Sequence, residues 1–293
     1  MIDIKTCVKS QLQETEFLTN RASIACQGVE GAYSQIAASA LFKNPEVMYM
    51  RTFDGVFRAV NSGLCRYGVL PLENSNAGSV TDVYDLMKTH KFYITRSVKV
   101  SISHMLLQKT KTSAEKIKEV YTHEQAARQC SGFLEQNDHI KINLLANTAA
   151  AAQFVAQSGR TDIAAIASEN CVKLYNLTAS SKNIQNNNNN YTRFICISRE
   201  CEIYSNADRI SLMLSLENKA GALYKIIKQF ALKKLNLIKL ESRPISDTDF
   251  EFMFYFDVQA NIENDNVYDL LIQLEQTTKQ FIFLGNYNEI ISK

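Results

Sequence analysis

Gln27-Gly28-Val29-Glu30-Gly31-Ala32-Tyr33-Ser34 separates a short apolar run, residues 23–26, from a helix-spaced set, Ile36, Ala37, Ala40 and Leu41. Its two glycines permit a tight turn, and the hydrophobic period changes from strand-like to helix-like across it. The order strand, loop, helix recurs downstream. Residues 47–50 lead to a helix marked by Phe53, Val56, Phe57 and Val60. Residues 68–70 lead through Pro71-Leu72-Glu73-Asn74-Ser75-Asn76-Ala77-Gly78 to a helix marked by Val80, Val83, Tyr84 and Met87. Such alternation predicts parallel pairing with helices on both faces, and ligands at the loops after the carboxyl ends of strands. The two most polar glycine-bearing loops, 28–34 and 73–78, take that position.

A β-rich stretch, 92–107, crosses into a second lobe that repeats the pattern. Residues 117–121 lead into Thr122-His123-Glu124-Gln125, 140–145 into Asn147-Thr148 and an alanine-rich helix, and 163–167 into Ser168-Glu169-Asn170. The chain returns through 177–190, an asparagine run at its end, to Tyr191-Thr192-Arg193-Phe194 at the mouth of an apolar strand. Two α/β lobes joined by two crossings imply a cleft, as in bilobal, periplasmic-binding-protein-like small-molecule binders. After a linker at 204–208 the remainder reads β-α-β-β-α-β, a ferredoxin-like order. The expected organisation is an arm at 1–21, a two-lobed domain at 22–203 with its second lobe at about 104–180, and a tail domain at 208–288.

Composition narrows the class. Apolar residues make up 46% and charged residues 21% of the 293-residue chain, as in an ordinary globular protein. A net charge of +2 gives no polyanion-binding character, so no nucleic-acid partner is expected. No long apolar run predicts a membrane span, and the first residues lack a signal core. Seven scattered cysteines without a Cys-x-x-Cys fit a reducing cytoplasm better than a disulfide framework. The four histidines show no metal-ligand spacing, so no metal or other cofactor is expected.

At the Thr192 strand mouth, arginine suits a carboxylate, because its planar fork donates two parallel hydrogen bonds, and threonine can donate to a leaving oxygen. A capped turn with a surface arginine is the plain alternative. Taken together, Gly31-Ala32-Tyr33-Ser34, Pro71-Leu72-Glu73-Asn74-Ser75 with Gly78, Tyr121-Thr122-His123-Glu124-Gln125, Asn147-Thr148-Ala149-Ala150-Ala151, Ala165-Ile166-Ala167-Ser168 and Thr192-Arg193-Phe194 resemble the prephenate dehydratase family. Gly221-Ala222-Leu223 and Glu241-Ser242-Arg243-Pro244 resemble the C-terminal ACT domain that accompanies it. The resemblance covers roughly residues 22–288. Its departures are Glu124, where the family commonly has proline, Ala150, where an acid is frequent, and the long asparagine run.

The resemblance implies conversion of prephenate to phenylpyruvate, water and carbon dioxide, without metal or redox cofactor. It implies catalytic roles for Thr192, as donor to the departing hydroxyl, and for Arg193, Glu73, Asn74 and Gln125. Arg193 is assigned to a substrate carboxylate, with a structural ion pair to Glu73 as the alternative. Glu73 is a candidate carboxylic acid of raised pKa. Ser34, Ser75, Thr122, Thr148, Ser168 and Phe194 are candidate substrate contacts, although N-capping also explains Thr148. His123 is taken as structural. Asn218, Gly221, Ala222, Leu223, Glu241 and Ser242 are candidate contacts for phenylalanine as an allosteric effector, in a homodimer or homotetramer. Arogenate as substrate, or a catalytically silent binder of an aromatic ligand, are the alternatives.

Overall fold

The computed structural model describes residues 11–12, 21–110, 114–245 and 251–292. Apart from Gln11–Leu12 and Arg21, the expected arm lies outside these residues. Gln11–Leu12 pairs in parallel with Ile203–Tyr204. No helix among the described residues is long and apolar enough to cross a membrane.

The fold is mixed α/β. The first lobe is built on a sheet ordered Glu289–Ser292, Tyr93–Ser101, Tyr191–Ser198, Tyr67–Asn74, Ala22–Gln27, Pro45–Met50. Ala22–Gln27 runs parallel to both of its neighbours, as strand-loop-helix alternation demands. The strand that carries Thr192 differs: it lies antiparallel between Tyr67–Asn74 and Tyr93–Ser101. It belongs to the return crossing, which re-enters the sheet from the second lobe in the opposite direction. The second lobe has a five-stranded sheet ordered Thr178–Ser181, Met105–Gln108, Ile163–Ala167, Glu119–Thr122, Lys141–Leu144.

Residues 209–245 and 251–287 contain a four-stranded antiparallel sheet, ordered Asn236–Pro244, Phe252–Gln259, Arg209–Ser215, Gln280–Tyr287, with helices Ala222–Leu232 and Asp265–Thr277. This is the β-α-β-β-α-β arrangement. Its helices and one sheet face enclose Leu212, Leu214, Phe230, Phe256, Leu271 and Leu274. The opposite sheet face is also buried. Met213, Met253, Tyr255, Leu284 and Tyr287 share one core with Phe57, Leu70, Leu72, Tyr84, Ile195 and Ile197 of the first lobe. The expected separate tail is therefore docked, because its strands alternate apolar side chains on both faces.

Gly285 marks how close that docking is. Its φ is +149°, and a Cβ there would lie 2.2 Å from the Ile94 carbonyl oxygen. Only a residue without a Cβ lets the two backbones approach in this way. Gly285→Ala should destabilise the chain by about 3 kcal/mol through overpacking, read as a lowered Tm. An unchanged Tm would show that the two sheets have freedom to separate.

Candidate active site

Between the lobes lies a cleft of about 310 Å³, within the range of small-molecule sites. Its walls come from strand ends and the first turns of the helices that follow strands, not from loops: Tyr33 and Ser34, Gln125 and Thr148 open helices, Pro71 and Asn74 end the strand Tyr67–Asn74, and Thr192 and Phe194 begin the strand Tyr191–Ser198. A polar annex of about 430 Å³ adjoins it through the shared Gln125 and Gln129, and adds Asn76, Arg128, Asn186, Asn187 and Asn190.

Asn74 is the hub of the first-lobe wall. Its Oδ1 accepts from the backbone N–H groups of Asn76 (3.1 Å) and Ala77 (2.9 Å). This Asx-type turn fixes which end of the amide is the donor. The Nδ2 group accordingly faces Asn190 Oδ1 at 2.8 Å, the Tyr191 carbonyl at 3.1 Å and Thr192 Oγ1 at 2.9 Å. Because Thr192 Oγ1 accepts from Asn74, its own hydrogen is left to donate into the cleft. A neutral hydroxyl is thereby polarised and aimed without any charged neighbour.

The expected partnership of Thr192 with Arg193 does not form. Successive strand residues face opposite sides of a sheet, so Thr192 and Asn74 face the cleft while their neighbours Arg193 and Glu73 face the tail domain. Arg193 is 2% exposed and reaches no cleft wall. Its Nη1 donates to Glu73 Oε1 (3.1 Å) and to Asp257, its Nη2 to the Tyr287 hydroxyl (2.7 Å), and its Nε lies 2.9 Å from Glu289 Oε2. Burial alone would lower its pKa, but Tyr287, Asp257 and Glu289 outweigh that and hold it charged. Of the two roles weighed for Arg193, the ion pair with Glu73 is the one this geometry realises.

Glu73 follows the same face. Burial raises its pKa, yet Lys239 at 2.7 Å and Arg193 at 3.1 Å prevail and hold the carboxyl below its ordinary range. The expected carboxylic acid of raised pKa is thus an ionised carboxylate directed away from the cleft.

The other candidates divide by burial. Ser34, Gln125, Thr148 and Phe194 line the cleft. Thr148 is freed from capping, because Asn147 Oδ1 accepts from Ala150 N at 2.7 Å instead. Thr122 is wholly buried and donates to the Ile166 carbonyl at 3.0 Å, and Ser168 is 3% exposed beside Cys171. Neither reaches a cleft wall, since both side chains point into the second-lobe core. Ser75 secures the strand mouth from outside, its Oγ accepting from Tyr191 N at 3.0 Å. His123, read as structural, caps its helix by accepting from Gln125 N at 3.3 Å and also lines the cleft.

Several lining residues were not among the site candidates, namely Gln27, His104 and Gln129 in the cleft and Asn190 in the annex. His104 contacts Gln129 Oε1 at 2.9 Å, and burial lowers its pKa, as it does for His123. Both imidazoles are neutral at neutral pH. None of the described cleft-lining residues is Lys, Arg, Asp or Glu, and in the annex Arg128 is the one such residue.

On the tail domain, a groove of about 170 Å³ is lined by Leu216, Glu217, Asn218, Lys219, Ala222, Leu223, Phe252 and Phe254. Gly221, at φ +80°, forms the left-handed turn before Ala222–Leu232. Ser242 pairs in register with Phe254 and is exposed on the face away from the lobes. Glu241, expected beside it, faces the first lobe and accepts from Ser79 Oγ at 2.7 Å. The strict alternation of exposure along Asn236–Pro244 separates the two.

A family model described as prephenate dehydratase matches residues 24–202. Arogenate dehydratase/prephenate dehydratase 2, chloroplastic, of Arabidopsis thaliana is 35% identical over 295 residues, covering 97% of this chain and 77% of that protein. The crystal structure of a prephenate dehydratase in complex with L-Phe from Arthrobacter aurescens superimposes with a TM-score of 0.82 at 25% identity, over 91% of this chain and 90% of that one. GqqA, described as a novel type of quorum quenching acylase, superimposes equally well, at 0.82 and 27% identity, over 90% and 97% of the chains. On the match of a family model to more than half of its length, the chain belongs to the prephenate dehydratase family.

Proposed function

We propose that the protein is a dehydratase that converts prephenate, or its aminated counterpart arogenate, by joint loss of the ring hydroxyl and ring carboxylate. The observation that carries this reading is the Thr192 hydroxyl, oriented by Asn74 so that its proton faces a cleft lined by neutral side chains. The product gains aromaticity, so the enzyme has to hold one geometry and assist hydroxide departure. Thr192 donates its proton to the leaving oxygen, which departs as water, and the threonine hydroxyl is reprotonated from solvent through the open cleft. Gln125, Thr148, Ser34 and the backbone around the strand mouths orient the ring, with Phe194 and Pro71 supplying its apolar wall. As carbon dioxide forms, the ring carboxylate loses its charge, and a site of neutral amides and hydroxyls favours that change over the charged ground state.

The substrate's side-chain carboxylate stays charged throughout and still needs a partner once Arg193 is excluded. Arg128 borders the annex, and its pairing with Glu124 across one helical turn is an exposed contact of small energy, readily exchanged for a ligand. Arg128→Ala should raise KM roughly tenfold with kcat little changed, as for an interaction made equally in ground and transition states. Equal KM values across a range of salt concentrations would remove Arg128 from recognition.

The tail domain is read as an ACT sensor for phenylalanine. Support comes from the β-α-β-β-α-β sheet, the Gly221 turn with its groove at Asn218–Leu223, and the L-Phe complex of the Arthrobacter relative. Ser242 completes the site from the same or a neighbouring chain in a homodimer or homotetramer, and Glu241 serves docking. The deciding assay follows phenylpyruvate formation from prephenate, and phenylalanine formation from arogenate, each with and without added phenylalanine. Suppression by phenylalanine supports both site and sensor, and turnover indifferent to it leaves the tail an assembly module. A folded protein silent on both substrates overturns the enzyme reading; GqqA shows that this fold also hosts other chemistry.

A further inference from the structure

After the last strand of the tail domain, the chain does not end on that domain. Residues Glu289–Ser292 return to the first-lobe sheet and pair in parallel with Tyr93–Ser101. Tyr93–Ser101 is in turn the direct neighbour of the strand that carries Thr192. Glu289, its side chain 6% exposed, sits at the entrance of this strand. Its carboxylate lies 2.9 Å from Arg193 Nε, 3.1 Å from Arg209 and 3.0 Å from Lys99, and accepts from Ser97 Oγ at 3.2 Å.

The two flanks of the Thr192 strand are unequal. Against Tyr67–Asn74 the register slips: Arg193 faces Glu73, but Phe194 faces Pro71, so Leu72 is an extra residue. Such a bulge leaves the ladder interrupted, and Pro71 has no N–H to contribute. Against Tyr93–Ser101 the register runs unbroken from Tyr191 to Cys196. Asn74 on the first flank holds the Thr192 hydroxyl, while beyond Arg193 the backbone of the catalytic strand is held by the second flank and by whatever holds the Arg193 side chain. Glu289 serves both, as the first residue of the strand backing that flank and as a partner of the guanidinium.

We infer that the C-terminal strand is a clasp for the catalytic strand, and that Glu289 is a positioning residue for Thr192, acting through Arg193. This rests on the reading of Thr192 as the proton donor. The clasp runs from the tail domain directly into the catalytic sheet. Arg193 also holds Tyr287 and Asp257 of that domain, so the strand is fixed between the two.

The test uses the full chain in four forms: wild type, Glu289→Gln, Glu289→Asp and Ile290→Ala. Steady-state kinetics on prephenate and on arogenate are paired with amide hydrogen exchange at residues 191–196, well below the lowest Tm. Ile290 packs partly buried against the first-lobe core, so its truncation lowers overall stability while leaving the backbone ladder and the charges in place. The expected result for Glu289→Gln is a kcat lowered roughly tenfold with KM within twofold, and faster exchange at 191–194. Glu289→Asp, which keeps the charge, should recover most of the lost kcat, and Ile290→Ala should lower Tm and leave kcat unchanged. Wild-type kcat and exchange in Glu289→Gln would overturn the inference, as would an equal kcat loss in Ile290→Ala. If the wild type turns over neither substrate, the dehydratase reading has failed. The exchange at 191–194 in Glu289→Gln then decides the clasp: faster exchange supports it and wild-type exchange overturns it.

Discussion

Replacing Thr192 with alanine should lower kcat at least ~10²-fold while leaving KM nearly unchanged, the range expected for removing a positioned proton donor. The group is partly exposed and lines the cleft, so the truncation enlarges that cleft rather than opening a buried cavity, and the fold should survive. What disappears is the hydroxyl that accepts from Asn74 Nδ2 at 2.9 Å and donates toward the leaving oxygen. Thr192→Ser keeps that oxygen and should stay within about tenfold of wild type, the shortfall reflecting freer rotation of a side chain without its γ-methyl. Asn74→Ala should resemble Thr192→Ala in kcat, because the hydroxyl would then be free to turn its proton elsewhere. The readout is initial-rate kinetics over a range of substrate concentrations. Turnover in Thr192→Ala above a tenth of wild type would show that the leaving hydroxide finds its proton from another group, with the cleft-lining His104 and His123 as candidates.

The alternation of strands, loops and helices was legible because local period and turn residues report directly on backbone state. The face of each strand was not. Tyr191–Ser198 is buried on both sides, so Phe194, Ile195, Cys196 and Ile197 form an unbroken apolar run without a period of two. Thr192 and Arg193 then look like partners in one site, when adjacency along a strand places them on opposite faces. Asn236–Pro244 offered a clearer signal. Lys239, Glu241 and Arg243 alternate with Ile238, Leu240 and Ser242, and the charged set meets Glu73, Ser79 and Asp85 across the interface. The contact between Asn74 and Asn190 spans 116 residues and has no local signature. His104 and Gln129 likewise owe their place in the cleft to the packing of the lobes.

The two roles weighed for Arg193 predict opposite signatures, and Arg193→Gln separates them. A residue binding a substrate carboxylate would raise KM and leave stability alone. A buried ion-pair centre would do the reverse: its removal leaves Glu73, Asp257 and Glu289 crowded without their shared cation. Breaking such a pair by removing one partner typically costs about 3–5 kcal/mol. For a chain of this size that should appear as a Tm lowered by roughly 10 °C. Acidity probes the same centre from the carboxylate side. Lys239 and Arg193 overcome the desolvation of Glu73 and depress its pKa below the ordinary 4.5. A depressed folded-state pKa means the unfolded chain binds the proton first. The stabilisation is therefore complete above about pH 4.5 and declines as the pH falls through the lower folded-state value. The Tm difference between wild type and Glu73→Gln should accordingly be largest near neutrality and shrink below pH 4.5. A constant difference across that window would mean that Glu73 is not held by charge. A wild-type Tm with raised KM in Arg193→Gln would return the arginine to the substrate. The geometry favours the first signature, because every hydrogen-bonding partner of that guanidinium lies on the side of the sheet that the substrate does not reach.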